Sequence, residues 1–421
     1  MTDLSIKPDK IEVMAPVGSW DSLSAAIQGG AGSVYFGLEK LNMRARSSIN
    51  FTLDDLSEIA AKCKKHGVKS YLTLNTVLYD EDIPMMKKLV DAAADHGISA
   101  AIVSDQSAIE YAREKGVEIH LSTQLNISNY QALKFYAQYA DVVVLARELN
   151  LDQVEEIYRQ IEEDQLRGPS GNLIRLELFV HGALCMAISG KCYLSLHQYN
   201  YSANRGSCLQ GCRRSYKLTD NESGDELVVD NEYLMSAKDL CTIGFVDRII
   251  DSGISVLKIE GRARPPEYVK TVCECYKQAV DSIPLGEYST ENIDRWETRL
   301  KQVFNRGFWD GYYLGQKLGE WSEVYGSKAA RRKEYLGKGS NYFPNIGVAE
   351  FVMETKSLKV GDRVLITGPT TGAVELEVKE LRLDDQAVEE VKKGDRFSMK
   401  VDEKIRRSDK LYKWKDAESP S

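Results

Sequence analysis

No apolar run in this chain of 421 residues approaches the length that crosses a bilayer. Its first residues, Met1-Thr-Asp-Leu-Ser-Ile-Lys7, lack the basic segment followed by an apolar stretch that directs export. A cytoplasmic protein with no membrane partner is therefore expected. Familiar signatures of hydrolysis are missing too: there is no His-Glu-x-x-His metal motif and no Ser-His-Asp ordering that can be placed. Cysteine is scarce, with eight in all, yet five of them fall within the 57 positions from Cys185 to Cys241. In a reducing compartment that clustering points to metal or redox chemistry rather than structural disulfides.

Net charge is −8, which alone argues against nucleic acid as a partner. The charge is unevenly spread, however. From Tyr325 onward there are 20 Lys and Arg against 17 Asp and Glu, which leaves 35 against 46 in the remainder. A mildly basic C-terminal part can meet phosphate while the rest stays acidic.

The first 280 or so residues alternate short β-rich runs with amphipathic helical patterns. Eight runs read as strands: Ile11–Ala15, Ser33–Gly37, Lys69–Leu74, Ser99–Val103, Glu118–Ser122, Asp141–Ala146, Arg175–Val180 and Ser255–Glu260. Several helical patterns end in a glycine just before the next strand, as at Gly67, Gly97, Gly116 and Gly253, the expected left-handed cap. Strand runs that are apolar on both faces predict a parallel (β/α)8 TIM-like barrel, with an open doubly wound sheet as the alternative. The predicted catalytic domain covers residues 1–290 and carries a cysteine-rich insertion over 182–241. A helical and basic linker is expected over 291–340, its glycine-spaced stretch Gly326–Ser340 included. A small antiparallel β-barrel is expected over 341–416, with hairpin-type turns at Lys359-Val-Gly-Asp-Arg-Val364 and Lys392-Lys-Gly-Asp-Arg-Phe397.

Long aperiodic insertions in compact domains are usually functional or disordered, and the cysteines favour function. Four thiolates suffice for a [4Fe–4S] cluster or a structural zinc. Between Cys185, Cys192, Cys208 and Cys212 lie six, fifteen and three residues, a poor match to paired zinc knuckles. Cys241 competes with Cys212 for the fourth place. Cys63, Cys273 and Cys275 lie on helical patterns and read as core. His181 ends strand seven, four residues before Cys185, and suits either proton transfer or packing. Glu260 and Arg262 close strand eight and join His181 as the catalytic candidates, and Arg264 follows; arginines there can grip an acidic small molecule or a phosphate, unless Glu260 merely pairs with one of them. Arg147 after strand six and Gln124 after strand five are further substrate-binding candidates.

The run Glu177-Leu-Phe-Val-His-Gly-Ala-Leu-Cys-Met-Ala-Ile-Ser-Gly-Lys-Cys-Tyr-Leu-Ser195 resembles the signature of the collagenase-like peptidase family U-32. The resemblance extends to Ala15-Pro-Val-Gly-Ser-Trp20, Asn204–Tyr216, Ser236–Cys241, Leu257–Arg262 and Phe304–Phe308. It implies an oxygen-independent hydroxylase carrying a [4Fe–4S] cluster. The family branch with a C-terminal β-barrel implies hydroxylation of carbon 5 of the wobble uridine in tRNA, with prephenate as the hydroxyl source. Sister branches imply a ribosomal cytidine or ubiquinone precursors as substrate. The family's name implies a peptidase, for which Cys185 with His181 is the conceivable pair. An RNA-binding protein braced by an inert metal is the non-catalytic alternative.

Overall fold

The structure is a computed structural model, and it describes residues 11–46, 49–224, 226–227, 233–316, 319–324 and 326–417. Eight parallel strands form its N-terminal part: β1 (Glu12–Pro16), β2 (Ser33–Phe36), β3 (Lys69–Leu74), β4 (Ala100–Val103), β5 (Ile119–Leu121), β6 (Val142–Val144), β7 (Arg175–Ala183) and β8 (Ile254–Ile259). Each pairs with the next, and β8 pairs with both β7 and β1, so the barrel is closed. Almost every residue in these strands is buried, which explains why they read as continuous apolar runs. Outward-facing side chains join the helices in one large core, while Met14, Tyr35, Tyr71, Ile102, Val142 and Val256 form a separate, smaller one. The glycines expected to end helices do so: Gly67, Gly97 and Gly116 all have φ near +68°. Among the described residues, no helix is long and apolar enough to cross a membrane.

The insertion interrupts the βα rhythm after β7. It contains a short helix (Leu194–Tyr199), two 3-10 turns (Ala203–Arg205 and Gly211–Arg213) and a return strand (Asp239–Cys241). That strand runs antiparallel beside the end of β7, with Leu240 opposite Gly182 and Cys241 opposite His181.

Beyond the barrel, eight antiparallel strands wrap around their own apolar core, which includes Leu336, Phe351, Val364, Phe397 and Leu411. The basic stretch expected as linker is in fact strand: Arg331–Phe343 pairs with Lys410–Asp416 along one half and Val348–Met353 along the other. Two of its cations sit against carboxylates from elsewhere in the chain, Lys333–Glu267 at 2.7 Å and Arg331–Glu375 at 2.8 Å, while Arg332 and Lys338 stay exposed. The two Gly-Asp turns are not hairpins either. The short strands that precede them, Ser357–Lys359 and Glu390–Lys392, pair with each other. In each turn the aspartate accepts the same backbone bond, Lys359 N to Asp362 and Lys392 N to Asp395, both at 2.7 Å.

This β-domain docks on the helices that follow β1 and β8. Gln28 donates to Thr371 O at 2.8 Å and accepts from Ala373 N at 3.1 Å, while Lys270 donates to Ala373 O at 2.9 Å. Gly372, at φ +67°, is required here, because a Cβ would stand 2.3 Å from Gln28 Oε1.

Candidate active site

A cavity of about 510 Å³ opens at the carboxyl ends of the barrel strands, roofed by the insertion. Such a position follows from the topology: parallel strands end together and their loops are free to vary. Cys185, Cys192, Cys208 and Cys212 all line it. The insertion folds so that they can. Ser195 Oγ accepts from Leu209 N at 3.0 Å, Asn204 Oδ1 accepts from Cys192 N at 3.2 Å, and Asn204 O accepts from Val77 N at 3.1 Å. Arg213 staples the Cys212 turn to the two ends of the insertion, donating to Leu184 O at 2.6 Å, Ser236 Oγ at 3.1 Å and Ala237 O. Its guanidinium is therefore committed to holding the insertion together.

All eight cysteines are unbridged thiols. Burial pushes the Cys212 thiol up to about 11, opposed by Arg213 and reinforced by the nearby sulfurs of Cys185, Cys208 and Cys192. Cys241 is elsewhere. It is buried behind the end of β7, does not line the cavity, and has its thiol pushed up to about 12 by burial. The donor set at the cavity is thus four thiols on one wall system, which suits a [4Fe–4S] cluster better than a hard oxygen-preferring cation. Among the described residues, no three His, Cys, Asp or Glu side chains are already arranged to hold a metal ion.

The remaining walls are cationic. Arg44, Arg147, Lys191, Arg213, Lys258, Arg262, Arg264 and Arg306 line the cavity, with Glu260 as the one carboxylate among the lining residues. Arg44 Nη2 meets Glu260 Oε1 at 2.7 Å, and Tyr35 Oη donates to Glu260 Oε2 at 3.2 Å. Burial alone would raise the Glu260 carboxyl, but Arg44 beside it, with Arg147 and Arg262, holds it at about 2. Because that value lies below the unfolded one, the carboxylate's share of stability is complete above the ordinary range. It is lost as pH falls through about 2. Arg262 is buried, donates to Asn42 Oδ1 and Thr73 Oγ1, both at 2.9 Å, and is pulled down to about 10 by burial. At the cavity wall, Lys258 Nζ and the buried Glu177 Oε1 form a pair at 2.6 Å. Arg147 stacks on Phe179 at 4.3 Å, and its buried Nε has no hydrogen-bond partner among the described residues. Arg264 covers Phe304 at 3.4 Å. Gln124 lines the cavity, with its Oε1 accepting from Asn75 at 3.2 Å and from Ser122.

His181 is the sequence candidate that the structure moves furthest. The β7–β8 register slips by one residue at Val180, with Lys258 opposite Phe179 but Ile259 opposite His181. A bulge reverses the alternation, so Glu177 and Phe179 face the cavity side while His181 turns outward. Its ring packs against Tyr268, Tyr276 and Phe308, and burial pushes it down to about 3. A neutral, enclosed imidazole outside the cavity is a packing group, and the expectation of proton transfer is withdrawn. Tyr35, Asn42 and Arg44 are the side chains that sequence reasoning missed. They stand at or just after the end of β2, where polar residues following a barrel strand are the available signal.

The class these features define is a (β/α)8 barrel with a ligand cavity where such barrels carry their active sites. The sequence profile of Peptidase family U32 matches residues 18–323, and the chain belongs to that family. A Porphyromonas gingivalis protein named collagenase is 60% identical over 403 residues, covering 96% of this chain and 97% of the relative. The tRNA hydroxylation protein P1 of Bacillus subtilis is 31% identical over 368 residues, covering 86% of this chain and 84% of the relative. A 23S rRNA 5-hydroxycytidine synthase of Escherichia coli is 32% identical over 324 residues, 75% of this chain and 47% of the relative.

Proposed function

We propose that this protein is an oxygen-independent tRNA hydroxylase that forms 5-hydroxyuridine at the wobble position. Cys185, Cys192, Cys208 and Cys212 would hold a [4Fe–4S] cluster, and prephenate would be the co-substrate. The observation that carries this reading is one cavity lined together by four thiols, six arginines and two lysines. When bound, the cluster would supply electron-transfer or Lewis-acid chemistry next to the substrate. The chain's own part is to bind and orient. Arg147, with a buried donor lacking a partner among the described residues, and Lys258 and Arg264 offer charge-assisted bonds to a dicarboxylate. Glu260 fixes Arg44, and Asn42 with Thr73 fixes Arg262, so these cations are preorganised rather than recruited.

The relative named collagenase favours a second reading, a peptidase acting on collagen-like substrates. Its conceivable dyad, Cys185 with His181, is not assembled, since the imidazole is enclosed against Tyr276 with Nδ1 at 3.4 Å from the phenol oxygen. A direct test compares the anaerobically purified protein on unmodified tRNA and on gelatin. The hydroxylase reading expects 5-hydroxyuridine only when the tRNA is supplied with prephenate, and no cleavage of gelatin. Gelatin turnover that survives removal of iron would reverse the choice.

A further inference from the structure

The insertion also presents exposed side chains at the cavity mouth and beyond it. From Leu178 to Thr219 the chain carries Lys191, Arg205, Arg213, Arg214 and Lys217 and no Asp or Glu, against a net charge of −8 overall. Of the seventeen large apolar side chains exposed among the described residues, six lie between Met186 and Leu209. Tyr193 is the extreme case at 69% exposed, and it stands with Lys191 at the cavity mouth. Tyr201 is 43% exposed, with the exposed Arg46 guanidinium 4.0 Å over its ring. Arg214, also exposed, lies over Tyr199 at 5.5 Å. Beyond the Ala203–Arg205 turn, Arg205 covers Tyr79 at 3.7 Å. Its charge is outweighed by Asp82 at 2.6 Å and Glu81 at 3.7 Å, so that corner offers flat faces but no positive charge for phosphate.

Single exposed apolar side chains need no explanation, but a patch of them edged by cations and beside a cavity does. A peptide would be served by an open strand edge or an apolar groove. This face instead offers flat rings and guanidinium planes interleaved with positive charge, the complement of bases and phosphates. Bases inside a duplex are already stacked and cannot use such rings, whereas unpaired ones can. A base that reacts in the cavity must also leave its stack, which exposes its neighbours at the mouth.

We infer that this face holds the unpaired nucleotides flanking the target base, an assignment that rests on the RNA reading above. Bases stack on Tyr193 and on the Tyr201–Arg46 pair, and phosphates meet Lys191 and Arg214. The test is fluorescence anisotropy with a stem-loop RNA carrying an unpaired uridine in its loop, and with the same strand closed into a duplex. Wild type should prefer the stem-loop. Tyr193→Ala and Tyr201→Ala should each bind it about tenfold more weakly, and Tyr193→Phe should bind as wild type. A Lys191→Gln, Arg214→Gln double variant should flatten the dependence of log affinity on log salt by about 1.4. Iron content and the thermal transition report that each variant is folded. If wild type binds the stem-loop but both tyrosine variants bind it equally well, the face is not the RNA site, and the hydroxylase reading stands. Equal affinity for the duplex overturns the role of unpaired bases. Binding of a collagen-derived peptide with none of RNA overturns both this inference and the reading beneath it.

Discussion

Cys212→Ser is expected to abolish iron binding and activity together, while Cys241→Ser leaves both in place. By sequence the two cysteines compete for the fourth place, and the fold separates them. Cys212 lines the cavity among Cys185, Cys192 and Cys208, whereas Cys241 lies in a ladder beside β7, against Tyr276. Loss of an outer-shell partner already costs roughly 10–100-fold in metal sites. Loss of a ligand should cost more, and should appear as missing iron and missing visible absorbance before any assay is run. Cys241→Ser removes a buried sulfur and should cost stability alone, about 1–2 kcal/mol from the lost apolar burial and the new hydroxyl. Iron analysis of the two purified variants decides the matter; iron retained in Cys212→Ser and lost in Cys241→Ser would exchange the assignments.

The second large effect is expected at the buried pair in the cavity wall. Lys258→Met strands Glu177, whose side chain is fully buried and whose second oxygen has no hydrogen-bond partner among the described residues. Removing one member of such a pair typically costs about 3–5 kcal/mol, because the surviving charge stays uncompensated. Adding Glu177→Leu to the same chain should restore most of that stability, since an apolar replacement of the whole pair is often close to neutral. Activity should not return with it. Lys258 lines the cavity, and a charged hydrogen bond to substrate is worth about 1.5–3 kcal/mol, or roughly 10–100-fold in KM for the acidic co-substrate. Denaturant titrations and KM measured on the single and double variants separate the two roles. An activity restored along with stability would make Lys258 purely structural.

The barrel was legible because its physics is local and repeated. Strands such as Asp141–Ala146 are apolar on both faces, and the glycines at 67, 97 and 116 end helices where only a left-handed residue fits. The gathering of Cys185, Cys192, Cys208 and Cys212 at one cavity was legible for another reason: thiols in a confined stretch have few alternative uses. Failures came where the outcome depends on register or on distant partners. A single extra residue at Val180 turned His181 away from the cavity, and no periodicity reveals a bulge in advance. The stretch from Arg331 looked like a basic linker because its charges are answered by Glu267, Glu354 and Glu375, far off in sequence. The Gly-Asp turns were recognised as turns, but which strands they join was decided by the pairing of Ser357–Lys359 with Glu390–Lys392.

The relatives pull the functional reading two ways, one named for collagen cleavage and others for RNA hydroxylation. The thiols and cations that line the cavity support the RNA reading proposed above, and the enclosed His181 lies outside the cavity, away from the Cys185 that a peptidase dyad would pair it with. The most direct measurement is mass spectrometry of tRNA and rRNA nucleosides from cells lacking the gene, complemented with wild type or with Cys185→Ala. The account predicts loss of 5-hydroxyuridine-derived nucleosides, restored by wild type and not by Cys185→Ala. An unchanged nucleoside profile in the deletion strain would contradict it.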